Sequence, residues 1–142
     1  MTLSEQAQGT SAVSTRGVVE AAYQAFAARD VERLVALLAP DVVWGEADNP
    51  LIPSAGTRSG ISGVLEWLKV GNETEEILAF EPRRILVDGD MAAVVGWTRI
   101  RARPTGVVYE MDFVHLVTVI DGRVTRFQEF FDTWVAAEAF RQ

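Results

Sequence analysis

Near residue 77 the hydrophobic pattern changes period, and that change confines the chain to one broad class of fold. Before it, apolar residues recur at helical spacing. Val18, Val19, Ala22, Tyr23 and Phe26 predict a first helix, and Val31, Leu34, Val35 and Leu38 a second that Asp30 caps and Pro40 stops. Asp41 to Glu46 reads as a short strand and the Pro- and Gly-punctuated run Ala47 to Arg58 as a long loop. Ile61, Val64, Leu65 and Leu68 mark a third helix capped by Ser59. From Ile77 onward strands alternate with Asp88-Gly89, Pro104-Thr105-Gly106 and Asp121-Gly122, the turn chemistry of successive hairpins, and Trp134 to Phe140 forms a short last helix. Helices first and a meander afterwards predict an α+β domain in which N-terminal helices pack on a strongly curved, mainly antiparallel sheet. The polar, Gly/Ser/Thr-rich residues 1–16 are expected to be a flexible tail, and residues 17–142 one domain.

Composition removes several classes of function. A chain of 142 residues that is 49% hydrophobic can bury a core without staples. It has no cysteine, which excludes disulfides, thiolate catalysis and cysteine-ligated metals, and its one histidine argues against a histidine-rich metal site. A net charge of -7 is the wrong sign for gripping a phosphate backbone, so no nucleic-acid partner is expected. No apolar run is long enough for a membrane helix and the first residues lack the pattern of a secretory signal, so the expected location is cytoplasmic.

Hairpin geometry predicts which side chains share a face. With Asp121-Gly122 as a two-residue turn, His115 pairs with Gln128, Phe113 with Phe130 and Met111 with Asp132, all on one side. With Thr105-Gly106 as another, Gly96 lies opposite His115 and Thr98 opposite Phe113 on that side, and small residues beside an imidazole suggest a cavity. The opposite face then pairs Arg101 with Glu110 and Arg99 with Asp112, and carries Val95, Trp97, Val114, Leu116 and Phe127. That apolar outer patch predicts a homodimer through the sheet. One β-bulge, at Gly96 or Phe130-Phe131, would swap the faces beyond it.

On the first strand Trp44 and Glu46 are two apart and share the inner side, which makes Glu46 a carboxylate in an aromatic pocket whose pKa burial would raise toward that of a useful general base. The alternative is a solvated Glu46 at the start of the loop. His115 reads either as a packed core imidazole or as a hydrogen-bond donor and proton shuttle. Asp132 reads either as the cap of the last helix or as a group that orients His115. Tyr23, Trp44, Thr98, Met111, Phe113, Gln128 and Phe130 are the expected walls of a substrate pocket.

Four segments in order carry a family resemblance: AYQAFAARDVERLVALLAPDVVW, the spacing of Pro53, Gly56 and Gly60 after Trp44, the strand beginning His115-Leu-Val-Thr-Val, and DGRVTRFQEFFD ending at Asp132. Together they resemble the SnoaL-like polyketide cyclases and ketosteroid isomerase-related proteins of the NTF2-like superfamily. The resemblance implies a cone-shaped fold with a deep pocket, frequent dimerisation, and no metal or organic cofactor. It places the general-base carboxylate of the isomerases on Glu46, with Ala47 where their motif has proline. His115 falls near their oxyanion-binding acid, as in the cyclases, and Ala22, beside Tyr23, falls on their tyrosine. The limonene epoxide hydrolases are also similar, in the Arg103-Pro104-Thr105-Gly106 turn and in Asp132.

The expected function is cofactor-independent acid–base catalysis, isomerase or aldol-type cyclase, on a small apolar or polycyclic carbonyl compound. Glu46 is the expected base, His115 the oxyanion donor and Asp132 its support. The alternatives are a limonene-type epoxide hydrolase and a non-catalytic dimeric module that binds a small ligand.

Overall fold

The computed structural model describes residues 14–142. The tail expected over residues 1–16 therefore lies outside the described residues as far as residue 13, while Ser14 to Arg16 open the first helix. Ser14 Oγ accepts a hydrogen bond from the Gly17 N–H at 3.0 Å and caps α1 (Thr15–Ala27), which buries Val18, Val19 and Ala25. Arg29 ends α1 by taking a left-handed φ of 57°, which lets the Asp30 N–H reach back to the Ala25 carbonyl. Asp30 then accepts from the Arg33 N–H at 3.1 Å and caps α2 (Val31–Ala36), as its sequence position predicts.

Helix α2 is shorter than its apolar stripe suggests. Leu38 and Pro40 belong instead to β1 (Leu38–Glu46), and Pro40 lies in the stretch where pairing is irregular, the place a strand tolerates a residue without an N–H. The segment expected to be loop up to Arg58 contains a second strand, β2 (Gly56–Ser59), antiparallel to β1. Next come α3 (Gly60–Thr74), β3 (Glu75–Asp88), β4 (Met91–Ala102), β5 (Val108–Ile120), β6 (Arg123–Phe131) and α4 (Thr133–Phe140). Ser59 holds the N-cap position of α3 without a side-chain cap bond.

The six strands form one curved, open mixed sheet in the order β2-β1-β6-β5-β4-β3. Only β1 and β6 run parallel. The main core lies between the inner sheet face and α1 and α3, around Val19, Val42, Val64, Val94, Phe113 and Val124. No helix among the described residues is long and apolar enough to cross a membrane.

Two register corrections decide what faces inward. The β4–β5 connection is longer than two residues, with the Ala102 N–H bonded to the Val107 carbonyl, so His115 lies opposite Val94, Phe113 opposite Gly96 and Met111 opposite Thr98. The shift is two residues, and a shift of two preserves the faces. It re-pairs the surface charges: Arg99 meets Glu110 at 3.7 Å, and Arg101 meets Glu76 of β3 at 2.7 Å. In β6 the shift is one residue. Val119 pairs with Val124 but Thr118 pairs with Arg126, so Thr125 is the extra residue of a β-bulge and every later residue changes face. Gln128 and Phe130 are therefore on the outer face rather than in the pocket, with Phe130 47% exposed, and Phe127, expected outside, is buried in the core. Asp132 pairs with nothing across the sheet. It is exposed, and its side chain accepts from the Val135 N–H at 3.1 Å to cap α4.

Candidate active site

Between the inner sheet face and the helices lies a cavity of about 690 Å³. Its walls are mostly aromatic and aliphatic, with Trp44 stacked on Phe127 at 4.0 Å and Phe80 on Phe113 at 5.1 Å. Of the expected pocket residues, Tyr23, Trp44, Thr98, Met111 and Phe113 line it, as do Glu46 and His115. Gln128, Phe130 and Asp132 do not. The bulge brings Glu129 and Phe131 into it instead. Thr98 is a wall rather than a free donor, because its hydroxyl donates to the Ala79 carbonyl at 2.9 Å.

Glu46 is 7% exposed. Ser54 Oγ donates to one carboxylate oxygen at 3.0 Å and the Trp67 indole N–H to the other at 2.9 Å. Each donor has a local cause. Trp67 projects from α3, and the loop carrying Ser54 is held by Arg58, whose guanidinium donates to the Ser54 carbonyl at 2.8 Å and to Glu66 at 3.0 Å. Burial first, and the charge of Glu129 second, push the Glu46 carboxyl up to about 8 against the lowering effect of its two donors. A buried acid of this kind is poised to exchange a proton near neutral pH.

His115 is 4% exposed and sits between two partners. Its Nδ1 is hydrogen-bonded to the Tyr23 hydroxyl from α1, and its Nε2 to a Glu129 carboxylate oxygen at 2.9 Å. Phe113 and Phe127 pack on the ring at 4.3 Å and 4.7 Å. Both ring nitrogens are thus engaged, and within this trio the tyrosine hydroxyl, though bonded to Nδ1, keeps a second hydrogen-bonding site on its oxygen for a ligand. Burial, and then Glu129, raise the pKa of Tyr23, which keeps it a protonated donor.

Glu129 ties the two halves together. In register it stands directly between Glu46 on β1 and His115 on β5. It makes the hydrogen bond to His115 expected of Asp132, and sequence reasoning misses it only because the Thr125 bulge is invisible to strict alternation. A third carboxylate, Glu75 at the start of β3, also lines the cavity, and burial followed by the Glu129 charge pushes it up to about 7. The Trp44 indole N–H, buried in the wall, meets no partner among the described residues. Those residues include no group of three or more His, Cys, Asp or Glu arranged to hold a metal ion.

The raised acids fix a sign for stability against pH. The folded chain holds a proton on Glu46 up to about 8 that an ordinary glutamate releases near 4.5, so this group's contribution is greatest below about 4.5 and is lost as pH rises to about 8. Glu75 acts in the same direction over a narrower window. Urea unfolding should show stability falling by a few kcal/mol between weakly acidic and alkaline pH, and Glu46→Gln should flatten that slope. A slope unchanged by the substitution would show that Glu46 is not the buried acid responsible.

The sequence matches the model of the SnoaL-like domain over residues 19–127. A search of curated proteins gives no match. Among solved structures, an NTF2-like protein from Burkholderia xenovorans is 29% identical, with a TM-score of 0.83 over 89% of this chain and 95% of its own. TerC, co-crystallised with polyporic acid, is 28% identical, with a TM-score of 0.76 over 90% of this chain and 98% of its own. A candidate SnoaL-like polyketide cyclase from Mesorhizobium loti, 20% identical, has a TM-score of 0.67 over 80% of this chain and 95% of its own, which is likeness of fold alone. With the family model spanning most of the chain, from α1 to β6, this protein belongs to the SnoaL-like domain family.

Proposed function

We propose that the protein is a cofactor-independent acid–base enzyme acting on a carbonyl compound, as an isomerase or an aldol-type cyclase. The observation that carries this reading is the placement of Glu46 and the Tyr23–His115–Glu129 trio on one largely apolar cavity, with Glu129 between base and donor. The ionised Glu46 takes the proton from the carbon beside the carbonyl. The Tyr23 hydroxyl turns its one proton from His115 Nδ1 toward the oxygen as enolate charge develops, while Glu129 holds the His115 ring through Nε2. Return of the proton from Glu46 to a different carbon completes an isomerisation. Attack of the enolate carbon on a second carbonyl carbon closes a ring, the alkoxide taking the proton held by Glu46, which regenerates the base. The occupied nitrogens of His115, the oxyanion donor expected from the sequence, support giving that role to Tyr23 in this reading. The co-crystallisation of TerC with polyporic acid supports an organic small molecule as the occupant of such a cavity.

The test is solvent deuterium exchange into a panel of cyclic ketones. Exchange that depends on Glu46 is the expected result. Ligand binding with no exchange would favour a binding module instead. Epoxide opening that survives Glu46→Gln and dies with Asp132→Asn would favour the hydrolase reading.

The outer face gives the reading its quaternary part, a homodimer. Val95, Trp97, Val114 and Leu116 are half-buried there in the single chain, and Phe130 is exposed beside them. Burying such side chains contributes about 25 cal/mol per Å². Phe130→Asp should therefore dissociate the dimer in analytical ultracentrifugation and leave the far-ultraviolet circular dichroism unchanged. A chain that sediments as a monomer without the substitution would remove the dimer.

A further inference from the structure

The cavity combines aromatic walls with an excess of acid, a pairing the carbonyl chemistry alone does not require. Glu46, Glu75 and Glu129 line it, together with Glu76 and the exposed Asp30. Its basic residues, Arg29, Lys69 and Arg103, are exposed at its mouth rather than set among the carboxylates. Four of these five acids have partners within the protein: Glu46 accepts from Ser54 and Trp67, Glu129 is bonded to His115, Glu76 pairs with Arg101 and Asp30 accepts from the Arg33 N–H. Glu75 is different. It is half-buried in the cavity wall, and its carboxyl meets no hydrogen-bond donor or cation among the described residues. A carboxyl that has no protein partner and faces an open, largely apolar cavity takes its partner from within that cavity.

We propose that the natural ligand carries a cationic nitrogen, a protonated amine or a quaternary ammonium, held by the Glu75 carboxylate against the aromatic wall. This rests on the reading of the cavity as a substrate chamber and narrows it to carbonyl compounds with a basic or quaternised nitrogen. Two general effects recommend such a ligand. Aromatic faces attract cations, most strongly where water is excluded. A positive charge in the chamber also relieves the mutual repulsion that burial imposes on the three glutamates, restoring ionisation of Glu46 when substrate is present. Substrate binding would thus help create the base that attacks it.

The test compares two probes of the same shape, meta-hydroxyphenyltrimethylammonium and its uncharged carbon isostere meta-tert-butylphenol, by calorimetry on the full chain at neutral pH. The ammonium should bind at least about tenfold more tightly, a difference of roughly 1.4 kcal/mol. Glu75→Gln should reduce that ratio. Equal or weaker binding of the ammonium to the native chain overturns the proposal, even if the variant fails to fold, and a ratio unchanged in a folded Glu75→Gln overturns the role of Glu75. Deuterium exchange into neutral ketones, measured on the same preparation, separates this from the catalytic reading. Exchange without charge preference removes only the cation, and charge preference without exchange removes only the enzyme.

Discussion

Glu46→Gln lowers deuterium exchange into the best ketone by about 10²–10⁴-fold, the range that a positioned proton acceptor supplies. The amide keeps the shape of the carboxylate, its carbonyl oxygen accepting from the Trp67 indole N–H and its NH2 donating to Ser54 Oγ, so the loss falls on proton transfer rather than on folding. The native rate rises with pH as the carboxyl ionises, with a limb near pH 8, because only the ionised form is a base. Two companion substitutions separate the neighbours. Glu129→Gln removes the charge that is the second cause of the raised Glu46 pKa, so its limb moves to lower pH, while the maximal rate falls because an amide holds the His115 ring less firmly than a carboxylate does. Tyr23→Phe removes a donor to the enolate oxygen, which costs about 10²–10³-fold where such donors have been removed, and leaves the limb in place because Tyr23 is not among the causes of the Glu46 shift. A Glu129→Gln limb that stays at its native pH would disconnect the two glutamates, and with them the central position given to Glu129.

That Glu129 rather than Asp132 supports the histidine shows where the sequence is legible and where it is not. The change of period near residue 77 and the Asp-Gly turns follow from local chemistry, and the helices and meander appear where they predict. The error in the β4–β5 turn is harmless because side chains alternate with a period of two and the slip is two residues. Met111, Phe113 and His115 keep their face, and so does Thr98. The bulge at Thr125 is an odd slip with no local signature, since Thr-Arg-Phe suits a regular strand as well as a bulged one. It exchanges Gln128 and Phe130 for Phe127, Glu129 and Phe131, and it moves the useful acid from the end of β6 into its middle. Strand β2 is hidden for a different reason: Gly-Thr-Arg-Ser has no apolar alternation, and its strand form comes from pairing with β1. Trp67 reaches Glu46 from α3 and Ser54 from the loop that folds back after β1, so neither could be assigned to the site before the fold was known.

Gly96→Ala lowers the unfolding free energy by about 3 kcal/mol, at the upper end of what overpacking ordinarily costs. A β-carbon at residue 96 would stand 2.3 Å from Phe113 Cζ, 2.8 Å from Cε2 of the same ring, and 2.5 Å from the Glu81 carbonyl oxygen. Neither neighbour yields easily. The oxygen is backbone of β3, next to the register irregularity at Pro82 and Arg84, and the ring is buried between Phe80 at 5.1 Å and His115 at 4.3 Å. The glycine expected to leave room beside the imidazole in fact makes room for the Phe113 ring, which packs on His115 and so helps fix it for Tyr23 and Glu129. A stability measurement alone would not show which contact dominates, but a double-mutant cycle does. Phe113→Leu shortens the ring that the new methyl strikes, so Gly96→Ala combined with Phe113→Leu should cost clearly less than the sum of the two single changes. Strict additivity would assign the strain to the Glu81 carbonyl and the β3 backbone, and Gly96→Ala would then destabilise the sheet while leaving the tilt of the His115 ring, and the exchange rate per folded molecule, as they were.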